Sequence, residues 1–94
     1  MNERILIVDD EESIRYTFEV FLSDEGYKVA SASNYNEAVA VLKTTNFDLI
    51  YADILMEKGT GIDLLKKVRE DYPLTPVIMI TGMPRVERAA EALR

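Results

Sequence analysis

Apolar residues follow two alternating rhythms along this chain, runs that are apolar at nearly every position and stretches where they return every third or fourth residue. Arg4 to Val8 is the first run, and its unbroken "ILIV" predicts a strand covered on both faces. From Ser13 to Glu25 the helical rhythm takes over, with Ile14, Phe18, Phe21 and Leu22 inward, Ser13 as its cap and Gly26 at its end. A second strand is expected over Tyr27 to Ala32. Asn34 with Glu37 three residues on reads as a capping box, opening a helix whose inner positions are Ala38, Val41 and Leu42. Phe47 to Ala52 is the third strand and runs into Asp53. Beyond a loop with Gly59 and Gly61, a third helix is predicted from about Ile62 to Asp71, with Ile62, Leu65 and Val68 inward. Pro73 and Pro76 follow it, and "VIMIT" at 77–81 is the fourth strand. Gly82 and Pro84 then introduce a last helix carrying Val86, Ala89, Ala90 and Leu93.

Strand and helix alternate four times with short connections, which predicts an open, parallel α/β sheet with right-handed crossovers. Ligands of such sheets sit beyond the carboxyl ends of the strands, where the strand order reverses. Asp9 and Asp10 follow the first strand, Asp53 follows the third, and Thr81 ends the fourth. If these strands are neighbours, three carboxylates and a hydroxyl meet at one edge.

Composition narrows what they can do. The 94 residues suffice for one domain, 1–94, with a modest core, burying roughly 60 to 70% of the unfolded chain's surface. There is no histidine and no cysteine, which removes imidazole and thiolate chemistry, disulfides and soft metal sites from the chain. A net charge of −6 argues against direct nucleic-acid binding. Neither a membrane span nor a signal peptide is legible, and a cytoplasmic location is expected.

Two carboxylates about 4 Å apart repel by roughly 4 kcal/mol at an effective dielectric of 20. Either one of them keeps its proton or a cation binds. For an all-oxygen donor set the natural ion is Mg²⁺. A divalent ion beside a free aspartate and a hydroxyl also suits phosphoryl transfer to a carboxylate, with Asp53 the better nucleophile and Asp9 and Asp10 serving the metal. Taken singly, each residue has a plainer use. Asp9 and Asp10 fit a solvated turn or cap, Asp53 a turn, Thr81 a strand end, and Gly59 and Gly61 loops with positive φ.

Through "ILIVDDEESIR", "DLIYADILMEKGTGIDLL" and "PVIMITGMP" the chain resembles the receiver domain of two-component response regulators. The resemblance implies a flavodoxin-like, CheY-like fold with Asp53 as phosphoacceptor. Asp9, Asp10, Asp53 and the backbone carbonyl of Leu55 would be the Mg²⁺ ligands, and Thr81 the switch hydroxyl. Gly61 matches the glycine that opens the third helix, while Glu57 stands where the family usually has proline. A sensor histidine kinase would be the phosphodonor, and an output domain or downstream protein the recipient of the conformational signal. Such a domain phosphorylates itself from a donor but turns over no external substrate, so it is not expected to be an enzyme.

The family pattern continues with a fifth strand ending in Lys-Pro and a fifth helix, which do not follow "AAEALR". The expectation is therefore a C-terminally truncated receiver with strand order 2-1-3-4, impaired phosphorylation, and self-association through the open edge of strand four. Two rivals are an assembly module without phosphotransfer and an aspartate-nucleophile phosphohydrolase. The second would need an Asp-x-Asp arrangement, and position 11 is Glu11.

Overall fold

The computed structural model describes residues 3–56 and 60–80. They form β1 (Arg4–Val8), α1 (Glu12–Asp24), β2 (Lys28–Ala32), α2 (Tyr35–Thr44), β3 (Leu49–Asp53), α3 (Thr60–Asp71) and β4 (Val77–Ile80). All pairings are parallel, as the alternation of strand and helix predicts, and the strand order is β2-β1-β3-β4, as the receiver-domain resemblance implies. The expected fourth helix, with Val86, Ala89, Ala90 and Leu93, lies outside the described residues, as do Gly59, Gly82 and Pro84.

Register sorts the side chains between the two faces. Leu6 lies beside Ala30 and Ile50, Val8 beside Ala32 and Ala52, and Ala52 beside Met79. This face packs with Ala38 and Leu42 of α2 and Leu64 and Val68 of α3 into the main core. On the opposite face Ile5 and Ile7 are buried, α1 lies mainly over β1 and β2, and the Phe18 ring meets Tyr51 with centroids 4.5 Å apart. α1 itself has no fully buried residue. β4 forms one edge of the described sheet and leaves Ile78 46% exposed.

Helix ends follow from local chemistry. Asn34 Oδ1 accepts the Glu37 N–H at 2.8 Å, and Glu37 reaches back to the Ser33 amide and hydroxyl, both at 2.7 Å. The same bonds hold the Glu37 carboxyl below its ordinary pKa. At the end of α1, Gly26 takes φ 99°, which frees its neighbours to close the last turn through Gly26 N–H to Ser23 O and Tyr27 N–H to Leu22 O.

Three local expectations need correction. α1 begins at Glu12 with Glu11 as its N-cap residue and no side-chain cap bond, so Ser13 is inside the helix and caps nothing. The reason lies one turn earlier, where the Asp9 carboxylate takes the Glu11 amide and starts the helix early. The inner stripe of α1 is Ile14, Phe18 and Leu22 at i, i+4 and i+8, while Phe21 falls on the flank, 62% exposed. In α3 the inward residues are Gly61, Leu64 and Val68, with Leu65 half-buried and Ile62 exposed. Gly61 is drawn against β3, and that contact sets the rotation of the whole helix.

Candidate acidic site at the strand ends

β1 and β3 are adjacent and in register, so their last residues deliver Asp9 and Asp53 side by side. Carboxylate oxygens of Asp9, Asp10 and Asp53 lie within 4.8 Å of one another. Asp9 and Asp53 are each only 4% exposed, whereas Asp10 faces solvent.

The two buried acids are held by the same device. Asp9 Oδ1 accepts the amide of Glu11 at 2.9 Å, and Asp53 Oδ1 accepts that of Leu55 at 2.8 Å. Each carboxylate thus closes a turn on the residue two positions on, a common use of aspartate after a strand. Their main chains are anchored laterally, Asp9 N–H to Ala32 O at 3.2 Å and Ile54 N–H to Ile80 O at 2.7 Å. Arg15, one turn into α1, donates from Nη1 to the Asp9 carbonyl at 2.7 Å.

Crowding has an electrostatic result. Burial, followed by the charges of Asp53 and Asp10, raises the Asp9 carboxyl to a pKa of about 6, against a lowering influence from Arg15. Tyr51, one pleat below Asp53 on the same face, has its phenol pushed up by burial and then by Asp9 and Asp53. An all-oxygen donor set with two buried acids and one exposed acid fits a hard divalent cation, whose charge would relieve this repulsion.

The rear wall is glycine. A Cβ at Gly61 would overlap the Asp53 carbonyl oxygen and come within 2.8 Å of the Ile54 Cα and carbonyl oxygen. Gly61 therefore permits the first turn of α3 to rest directly on the peptide after Asp53. In front, a recess of about 150 Å³ opens beside Asp10, lined by Ser33, Asn34, Tyr35, Asn36, Met56 and Thr60.

The structure brings Asp9, Asp10 and Asp53 together as the sequence predicts. Leu55 stands two residues past Asp53 and is tied to it through its amide. Thr81 lies outside the described residues, one position beyond the Ile80 that pairs with Asp53. The Arg15 bond, the Phe18–Tyr51 contact and the recess were not legible from residue spacing, although a cation one turn into the helix after an acidic pair is a visible signal.

A buried parallel sheet in the order 2-1-3-4, with an acidic trio at its carboxyl edge, defines the receiver class of flavodoxin-like proteins. The chain belongs to the response regulator receiver domain family, whose model matches residues 5–94. It is 40% identical over 91 residues to the alginate biosynthesis transcriptional regulatory protein AlgB of Pseudomonas aeruginosa. The alignment takes in 97% of this chain but 20% of AlgB, so the chain spans about a fifth of that relative's length. Among solved structures it is similar to the chemotaxis response regulator CheY4 of Vibrio cholerae, with a TM-score of 0.82 and 35% identity over 97% of this chain and 78% of that one. It is also similar, at a TM-score of 0.79 and 32% identity over 89% of this chain and 72% of that one, to a structure of the histidine kinase ThkA in complex with the response regulator TrrA.

Proposed function

We propose that Asp53 is the phosphoacceptor of this receiver domain. The observation that carries the reading is the buried Asp53 carboxylate, one oxygen engaged by the Leu55 amide, meeting Asp9 and Asp10 at the strand ends. A carboxylate oxygen of Asp53 forms a bond to phosphorus as the bond to the donor's phosphohistidine nitrogen, or to the acyl oxygen of a small donor, breaks and departs with its electron pair. The Leu55 N–H fixes the direction of attack by holding the carboxylate plane.

Asp9, Asp10, Asp53 and the Leu55 carbonyl would hold Mg²⁺. When bound, the ion offsets the charge of the carboxylates and of the phosphoryl oxygens. Thr81 is the expected switch hydroxyl. This chemistry uses each chain once per phosphorylation and makes the domain an acceptor rather than an enzyme.

A sensor histidine kinase is the proposed donor, supported by the complex in which the similar TrrA is bound to ThkA. An output domain or downstream protein is the proposed recipient of the signal, in the cytoplasm. Association of two copies along β4 belongs to the same reading, and sedimentation over a concentration series would register it.

Incubation with acetyl phosphate and Mg²⁺, followed by intact-mass measurement, tests the acceptor assignment. One phosphoryl group is expected on the wild-type chain, absent without Mg²⁺ and absent from Asp53→Asn. Equal labelling of Asp53→Asn would remove Asp53 from the role.

A further inference from the structure

We propose that Arg15 is a positioning residue of the acidic site, holding the main chain of the turn that presents Asp9 and Asp10 in the shape that collects a divalent cation. The proposal rests on the Mg²⁺ reading given above.

Three polar groups of Asp9 are engaged. Its amide donates to Ala32, its Oδ1 accepts from Glu11, and its carbonyl accepts the Arg15 guanidinium at 2.7 Å. The last of these spans six residues and ties α1 back to the end of β1. α1 has no side-chain cap bond of its own, so the Arg15 tie and the Asp9 turn together define where the helix meets the strand.

The difference between these two ties matters for binding a cation. The turn bond uses a carboxylate oxygen that a metal ion would also draw upon. Arg15 instead grips a carbonyl, with a charged donor that gives a shorter, stronger bond than a neutral one. Its bond uses no carboxylate oxygen that a metal ion would draw upon. At the other strand end Gly61 and the Ile54–Ile80 bond hold the Asp53 turn, and no cation is bonded to it among the described residues.

A positioning role and a simple charge effect predict opposite signs. Arg15 is a positive charge beside a cation site, and removing it should by charge alone strengthen Mg²⁺ binding. If Arg15 positions the turn, removing it weakens binding, since partners that orient metal ligands are typically worth about 10 to 100-fold in affinity.

Calorimetric titration of the chain with MgCl₂ at neutral pH separates the two, using Arg15→Met, which keeps the stem without charge or donor, and Arg15→Lys, which keeps both charge and a donor. The expected results are Mg²⁺ binding weakened about tenfold in Arg15→Met, most of the affinity recovered in Arg15→Lys, and faster exchange of the Glu11 amide in Arg15→Met with its far-UV dichroism unchanged. Binding by Arg15→Met as tight as wild type or tighter would overturn the proposal. So would loss of its fold, which would make Arg15 a residue of general stability. A wild-type chain that takes up no Mg²⁺ would instead sink the metal reading, and this proposal with it.

Discussion

The ends of β1 and β3 are built alike and braced differently. Both close on a buried aspartate that accepts the amide two residues on. At β1 the turn carries a second acid, Asp10, and is locked by an arginine, whereas at β3 it is backed by a glycine with no side chain between helix and strand. The first arrangement concentrates charge, which a retained proton or a bound cation relieves. The second leaves one carboxylate sterically confined. Under the proposed function the same turn chemistry furnishes a ligand at one end and a nucleophile at the other, according to what packs behind it.

Substituting the acids should give the largest contrast. Asp53→Asn is expected to abolish phosphoryl uptake at any Mg²⁺ concentration. Asp9→Asn keeps the acceptor and loses a ligand, so uptake should be slow but recover as Mg²⁺ is raised. Labelling rates across an MgCl₂ series check this, and identical dead variants would erase the distinction between the two ends.

Gly61→Ala strikes the β3 end alone. The added methyl overlaps backbone that cannot rotate away, and a loss of about 3 kcal/mol or more is expected in urea unfolding. A loss below 1 kcal/mol would show that α3 moves off the strand at little cost.

Next in size is a pH effect that belongs to the β1 end. The Asp9 pKa of about 6, above its ordinary 3.8, means that the folded chain binds this proton more tightly than the unfolded chain does. Asp9 therefore costs stability above pH 6, the cost falls as pH drops through about 6, and it vanishes below about 3.8. In metal-free buffer, Asp9→Asn should remove up to about 3 kcal/mol of this pH dependence, read as the difference between unfolding curves at pH 8 and pH 4. Asp53→Asn should shrink the step without erasing it, because burial is the larger cause. The smallest effect is set by Asn34→Ala at the cap of α2, about 1 kcal/mol by thermal unfolding with Mg²⁺ affinity unchanged.

Much of this architecture is legible in the sequence because the pattern and the environment agree. β1 is apolar and buried from Ile5 to Val8 and β3 is largely apolar and at least half-buried, and the acids that follow or end them fall where an open parallel sheet collects ligands. The Asn34–Glu37 box was readable because it is wholly local, involving residues within one turn. Helix faces were less so. Ile62 and Phe21 are as apolar as their neighbours, and only the contact of Gly61 with β3, or the position of α1 over β1 and β2, decides which residues turn inward. Ser13 misled for a similar reason, since a carboxylate four residues earlier had already taken the amide that begins the helix. The Arg15 bond is not legible in the sequence because its partner is a main-chain carbonyl, which leaves no mark there.

The seat of α3 has a mechanical consequence. Most helices rest on their sheets through interlocking side chains, a layer that yields by rotamer changes when either partner shifts. At Gly61 that compliant layer is missing, and helix meets strand as backbone on backbone. A displacement of the Asp53–Ile54 peptide of a few tenths of an ångström cannot be absorbed there. It bears on the first turn of α3, while Leu64 and Val68 further along the helix rest on the core through side chains.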